Sequence, residues 1–147
     1  MQKKIKLLIS GKRGAGKSYF VKSISSNIEC EGLITKKNKR GVTIAYMQNF
    51  IIKSYKYCAF FKKNGIVPRP HIFDEFGCGI LKKLFISKKL IIIDEIGFIE
   101  LNSSEYCEKL LSLLKLKKNI ICVLRDERNT LIDTIKNIEE FKFKYIV

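Results

Sequence analysis

The stretch best suited to chemistry runs from residue 11 to residue 18 and fits the Walker A pattern G-x-x-x-x-G-K-S. Glycines allow backbone N–H groups to turn inward around an anion, and the helix that follows directs its positive N-terminus at the same point. The lysine of the pattern reaches the β- and γ-phosphates of a nucleotide, and the serine hydroxyl is a ligand for Mg²⁺. We therefore predict a phosphate-binding loop made of Gly11, Lys12, Arg13, Gly14, Ala15, Gly16, Lys17, Ser18 and the adjoining Tyr19.

Two neighbouring carboxylates form the second candidate group. Asp94 and Glu95 directly follow the unbroken apolar run of residues 90–93, which is typical of a strand buried on both faces of a sheet. Side chains at the carboxyl end of such a strand lie where open α/β sheets bind ligands. In this Walker B arrangement Asp94 could hold Mg²⁺, while Glu95 could orient or deprotonate an attacking water. The two motifs predict Lys17 and Glu95 as catalytic residues and Ser18 and Asp94 as metal ligands.

The elements around the glycine loop suit it. Residues 4–9 predict a strand, and apolar side chains at positions 20, 21, 24 and 28 recur at helical spacing, which predicts a helix over residues 18–27. Strand, loop and helix in this order are the context that gives the Walker A pattern its meaning.

The middle third departs from a plain alternation of strands and helices. Residues 33–47 predict a β-hairpin, and residues 49–63 continue in β-prone types up to the Asn64-Gly65 turn. We expect these strands to be added in antiparallel fashion to one edge of the sheet.

The remaining elements follow from periodicity. Residues 67–70 are a breaker, and one apolar stripe then predicts a helix over residues 72–85. The elements predicted beyond the acidic pair are a helix over 104–116 with capping residues at 102–105, a buried strand over 119–124, a helix over 130–138 and a strand over 141–147. We expect a single α/β domain covering residues 1–147, with a mostly parallel central sheet between helical layers and an antiparallel hairpin addition.

Composition limits the class of protein. With 46% hydrophobic residues among 147 the chain can bury a core, yet no apolar run approaches the roughly 20 residues of a membrane span. Five cysteines without a C-x-x-C pair indicate reduced thiols, and a single histidine argues against a zinc site. The N-terminus shows no cleavable signal pattern. We expect a cytoplasmic monomer without a membrane partner.

The net charge of +15 raises the question of nucleic acid. Lysine far outnumbers arginine, and pairs of lysines are distributed along the whole chain, as on ordinary solvated surfaces. Nucleic acid is therefore a possible partner, but it is not favoured as the main role.

Together the motifs resemble a family of small P-loop nucleoside-triphosphatases known from thermophilic microbes and from a human cancer-related homologue. Its members combine a phosphate loop with a D-E-I-G-x-x-E-L signature, which residues 94–101 match. The resemblance covers nearly the whole chain and is weaker in the middle third. It implies a P-loop NTPase fold of the RecA-like, additional-strand type. It also implies slow, Mg²⁺-dependent hydrolysis of nucleoside triphosphates such as ATP or GTP to diphosphate and phosphate, with broad base tolerance.

The resemblance also implies roles for individual residues. The positions that match the family's phosphate and metal contacts are Gly16, Lys17, Ser18 and Asp94, and the position of its catalytic acid is Glu95. Glu100 matches the signature too, and either orients its loop or takes part in catalysis.

Two departures from the family stand out. Members carry an R-x-G-F type turn, where this chain has Arg40-Gly41-Val42, and they continue past the last strand to a segment ending in Asn-Arg, where this sequence ends at Val147. Arg125 or Arg128 could supply positive charge in place of that segment.

Two alternatives use the same scaffold. A nucleotide or small-molecule kinase would hold an acceptor where the water attacks, and a nucleotide-dependent switch would act on a protein or nucleic-acid partner. The sequence has no N-K-x-D guanine motif, so ATP and GTP remain equally suitable.

Overall fold

Eight strands form one sheet in the computed structural model of the chain, which describes residues 3–147. The strands are Lys6–Gly11 (β1), Cys30–Lys37 (β2), Gly41–Gln48 (β3), Ile51–Lys62 (β4), Gly65–Pro68 (β5), Leu90–Ile96 (β6), Ile120–Leu124 (β7) and Lys142–Ile146 (β8). Their order across the sheet is β5-β4-β3-β2-β6-β7-β1-β8. The five strands from β2 to β8 in this order pair in parallel, and β3, β4 and β5 extend the β2 edge in antiparallel fashion.

The helices lie on both faces of this sheet. They are Lys17–Ser25 (α1), Pro70–Ile72 (α2), Cys78–Phe85 (α3), Ser104–Leu114 (α4) and Thr130–Lys136 (α5), with a π-helical turn at Phe73–Gly77 between α2 and α3. The apolar side chains of α1 pack into one core cluster, and those of α3, α4 and α5 pack into another. The three-layer α/β/α arrangement is therefore confirmed. Within residues 3–147, no helix is both long and apolar enough to pass through a bilayer.

Strand β6 shows why the apolar run precedes the acids. Leu90 and Ile92 point into the cluster under α1, whereas Ile91 and Ile93 point into the opposite cluster, and all four are almost completely buried. Because successive side chains of a strand alternate between faces, only an unbroken apolar run satisfies both layers. Strand β7 lies between β1 and β6, so an additional strand separates the strand before the glycine loop from the strand before the acids.

The antiparallel extension also agrees with the sequence. The β2–β3 hairpin pairs Glu31 with Gln48 at its open end and Lys37 with Val42 next to its turn. The predicted breaker behaves differently, because Pro68 ends β5 on the outer edge of the sheet while Pro70 opens α2. Both positions tolerate proline, since neither needs its backbone N–H for pairing.

The N-terminus of α4 is capped from outside its own sequence. Ser103 is the N-cap residue, but its hydroxyl donates to the carbonyl of Pro70 at 3.1 Å instead of accepting from its own helix. The backbone N–H of Tyr106 donates to Asp74 Oδ1 at 3.1 Å. The local capping predicted at residues 102–105 is thus replaced by a carboxylate of the preceding helical segment, which ties the two helices together.

We expect Asp74→Ala to destabilise the protein by about 1 kcal/mol, because the first turn of α4 loses an acceptor. Urea unfolding measures the change, and Glu75→Ala is the matched control, since Glu75 is exposed. Equal effects of the two substitutions would contradict this assignment.

Candidate active site

The glycine loop connects β1 to α1 and is shaped by left-handed backbone. Gly14 and Gly16 have φ angles of 82° and 91°, a left-handed conformation that residues with a side chain rarely adopt. The N–H of Ala15 donates to the carbonyl of Lys12 at 3.0 Å and closes a tight turn. Since α1 begins at Lys17, the loop and the helix N-terminus face the same space.

The side chain of Lys17 folds back across this loop. Its Nζ donates to the carbonyl of Gly11 at 2.6 Å and lies 3.7 Å from Glu95 Oε2. The ammonium therefore sits between the loop backbone and the acidic end of β6.

Ser18 and Asp94 meet across the site. The Ser18 hydroxyl donates to Asp94 Oδ2 at 2.8 Å. Burial raises the pKa of Asp94, while this hydrogen bond and the nearby Lys17 oppose that shift. Both atoms are hard oxygen donors of the kind Mg²⁺ binds. No group of three or more histidine, cysteine, aspartate or glutamate side chains within residues 3–147 could hold a metal by itself.

Glu95 is anchored through its backbone by Thr35. The Thr35 hydroxyl donates to the carbonyl of Glu95 at 3.0 Å and accepts from its N–H at 3.2 Å. The carboxylate then lies between two cations, 3.7 Å from Lys17 and 4.0 Å from Arg125. Burial raises the pKa of Glu95, and both cations counteract the shift.

Glu100 orients the loop that follows β6. Its side chain is only 2% exposed, and Oε2 accepts from the N–H of Gly97 at 2.6 Å. Burial raises its pKa to about 7, against the lowering effect of the Gly97 hydrogen bond. Of the two roles left open by the sequence, this geometry matches loop orientation.

Only one of the two candidate arginines reaches the site. Arg125 lies 3.0 Å from Glu127 Oε1, and its guanidinium stacks 5.4 Å above the ring of Phe98. It also fills the space beside Gly97, where any side chain would overlap it. Arg128 is 87% exposed and instead pairs with Asp133 at 3.4 Å.

These residues surround an open cavity of about 430 Å³ at the carboxyl edge of the parallel strands. Its lining includes every predicted loop residue except Lys12, together with both acids of β6, and Tyr19 stands at the mouth with 80% of its surface exposed. Sequence reasoning missed four further lining residues, which are Thr35, Lys37, Asp126 and Glu127. Their signal was position, because each lies at or just after the carboxyl end of a predicted strand.

A glycine loop before α1, an acidic strand end and an intervening strand define a P-loop protein of the additional-strand type. Residues 6–146 match the family described as NTPase, and the chain belongs to this family.

Named relatives and a solved structure are consistent with this membership. The chain is 25% identical over 149 residues to the nucleoside-triphosphatase THEP1 of Thermotoga maritima. This alignment covers 90% of this chain and 81% of that protein. The THEP1 protein of Thermotoga sp. strain RQ2 is also 25% identical, with the same coverage. The crystal structure of THEP1 from the hyperthermophile Aquifex aeolicus superposes with a TM-score of 0.78 at 22% identity, over 97% of this chain and 90% of that chain. This last likeness supports the fold.

The pKa of Glu100 predicts a pH dependence of stability. A carboxyl whose pKa rises from 4.5 to about 7 on folding stabilises the native state fully below its unfolded pKa, and this contribution is lost as pH rises through the folded pKa. The free energy of unfolding should therefore fall by roughly 2–3 kcal/mol between about pH 5 and pH 8 on account of this group. Glu100→Gln should remove that part of the slope in urea unfolding. A slope unchanged by the substitution would show that Glu100 is ionised throughout.

Proposed function

We propose that the protein is a Mg²⁺-dependent nucleoside triphosphatase that hydrolyses NTP to NDP and phosphate. The observation that carries the proposal is that one cavity is lined by Lys17, Ser18, Asp94 and Glu95. Ser18 Oγ lies 2.8 Å from Asp94 Oδ2, and Lys17 Nζ lies 3.7 Å from Glu95 Oε2. All of these residues come from one chain, so the proposed site needs only a monomer.

The loop would bind the phosphates in two ways. Residues 14–18, which include the start of α1, line the cavity, and the N-terminus of a helix favours an anion. Lys17 would exchange its contact with the Gly11 carbonyl for the β- and γ-phosphate oxygens. The terminal phosphate would then lie beside Glu95, because Lys17 is within 3.7 Å of that carboxylate.

The donor set suits Mg²⁺. Ser18 Oγ and Asp94 Oδ2 would hold the ion, with phosphate oxygens and water as the remaining ligands. When bound, Mg²⁺ neutralises charge on the β- and γ-phosphates.

Glu95 would position the attacking water and accept its proton on a carboxylate oxygen. Its raised pKa makes it a better proton acceptor near neutral pH than an ordinary glutamate, and the Thr35 hydrogen bonds fix its backbone. Arg125 would turn from Glu127 towards the transferring phosphoryl group and stabilise its charge.

The proposed specificity is for the triphosphate and not for the base. Eight of the fifteen lining residues are charged, four of them basic and four acidic, and Tyr19 is the one aromatic residue of the lining. The curated relatives are named nucleoside-triphosphatases without a stated base. We therefore propose slow hydrolysis of both ATP and GTP.

Phosphate release from ATP, GTP, CTP and UTP with Mg²⁺ tests the proposal. Glu95→Gln should lower kcat by about 100-fold or more while nucleotide still binds, because the water loses its proton acceptor. Lys17→Ala should weaken both binding and turnover. Tight binding without phosphate release, relieved only by an added acceptor, would favour a kinase instead.

Arg125 and Arg128 form a matched pair for a further test. Arg125→Ala should reduce kcat by about 100-fold with a smaller change in KM, because its charge acts mainly in the transition state. Arg128→Ala removes the same charge outside the cavity and should leave turnover within about twofold of the native value. Similar losses in both variants would contradict the role proposed for Arg125.

A further inference from the structure

The antiparallel extension has an unusual charge. Residues 32–73 contain nine lysines and arginines and no aspartate or glutamate, so all 14 acids of the chain lie elsewhere. This acid-free segment forms nearly all of β2 and the whole of β3, β4 and β5. The lysines and arginines of this segment are about as dense as in the rest of the chain, but no acid offsets them, so this part of the sheet is purely basic.

Three aromatic rings lie in a row along β4. Tyr55 pairs with Ala45, Tyr57 with Thr43 and Phe60 with Gly41, a register that places all three rings on the same face of the sheet. The rings of Tyr55 and Tyr57 meet edge to face with centroids 6.4 Å apart. The rings of Tyr57 and Phe60 stack at 5.2 Å.

This face remains open. It is the face on which α1 packs, but α1 lies over β1 and β7, far across the sheet from β4. Tyr55 is consequently 60% exposed, and Tyr57 and Phe60 are half-buried.

Cations flank the rings. Lys62 Nζ lies 5.9 Å and Arg69 Cζ lies 5.2 Å from the centroid of Phe60. On the other side, Lys36 pairs with Thr43, which in turn pairs with Tyr57, so the lysine stands on the same face two strands away. We call the surface formed by Tyr55, Tyr57, Phe60, Lys36, Lys62 and Arg69 the aromatic platform.

We propose that the aromatic platform binds single-stranded nucleic acid. A single strand presents a row of phosphates and a row of unstacked bases, and a sheet face with adjoining aromatic rings among lysines and arginines complements both. A duplex would offer the phosphates but hide the faces of its bases. An acidic protein would satisfy the cations but would leave the exposed ring of Tyr55 and the half-buried rings beside it unused. This inference does not depend on NTP hydrolysis.

Fluorescence anisotropy with a labelled oligo(dT) of about 20 nucleotides tests the stacking part. We expect native protein in about 50 mM NaCl to bind this strand about tenfold more tightly than a duplex of the same length. Tyr55→Ala should weaken single-strand binding about tenfold, and Tyr55→Phe should retain it. The matched control is Phe143→Ala on β8, because Phe143 is 51% exposed with Lys136 over its ring at 5.2 Å, but lies at the opposite edge of the sheet.

The salt dependence of the same binding tests the charged part. Lys62→Ala should lower the slope of log affinity against log salt by about 0.7, the value for one phosphate contact on a single strand. Lys115→Ala, which removes one exposed lysine far along the chain, should leave the slope unchanged.

Several results would overturn the proposal. Equal affinity for single strand and duplex, or equal losses in Tyr55→Ala and Phe143→Ala, would reduce the binding to non-specific charge. Tighter binding of a labelled polyglutamate peptide than of the oligonucleotide would assign the surface to an acidic protein. Tyr55 is exposed, so we expect neither of its substitutions to change the thermal unfolding of the protein. Unchanged unfolding temperatures then show that the binding comparison is between folded proteins.

Discussion

Parallel pairing of β6 between β2 and β7 is the constraint on which the site depends. Parallel strands end at a common edge, so Asp94 and Glu95 emerge beside the loop that follows β1, although some eighty residues separate the two motifs in sequence. The hydrogen bond from Ser18 to Asp94 joins α1 to β6 across the intervening strand. The apolar residues of β6 matter to chemistry for this reason, since they hold the acidic end of the strand in place.

The electrostatics of the cavity suit a polyanion. Lys37 lines the same space as Arg13 and Arg125, and its pKa is lowered by burial and by repulsion from those two cations. The pKa values of Asp94 and Glu95 are raised, because burial disfavours the charged form of a carboxyl group. Phosphate oxygens would relieve the repulsion among the cations, and a divalent ion would relieve the cost of burying the acids. The proposed ligand and metal would thus compensate for each other's charge.

Strand β2 contributes side chains to both the cavity and the aromatic platform. Its side chains alternate, so Lys37 lines the proposed nucleotide cavity while the neighbouring Lys36 stands on the face of the aromatic platform. Thr35 adds the hydrogen bonds that hold the backbone of Glu95. A ligand on the platform and a nucleotide in the cavity would therefore contact consecutive residues of one strand.

Much of this molecule was predictable because its signals are local. A short stretch of sequence is enough to predict the glycine loop, the buried strand before Asp94 and the hairpin of the middle third. The α/β fold with its antiparallel edge therefore followed from the sequence. The sequence could not choose between Arg125 and Arg128, or between two roles for Glu100, since only the packing around Gly97 separates them. It also predicted a local cap for α4 that Asp74 supplies from another helix.

The basic surface of the antiparallel extension shows most clearly what the sequence determined and what only the tertiary structure decided. The sequence determined that residues 32–73 carry lysines and arginines without any acid, but not which of these side chains share a face of the sheet. Only the register of β3 against β4 decided that Tyr55, Tyr57 and Phe60 share a face, because a bulge in β4 between Val42 and Thr43 of its partner changes which side chains point together. Residue types are a property of the chain, whereas the grouping of side chains into a surface depends on strand pairing between distant positions.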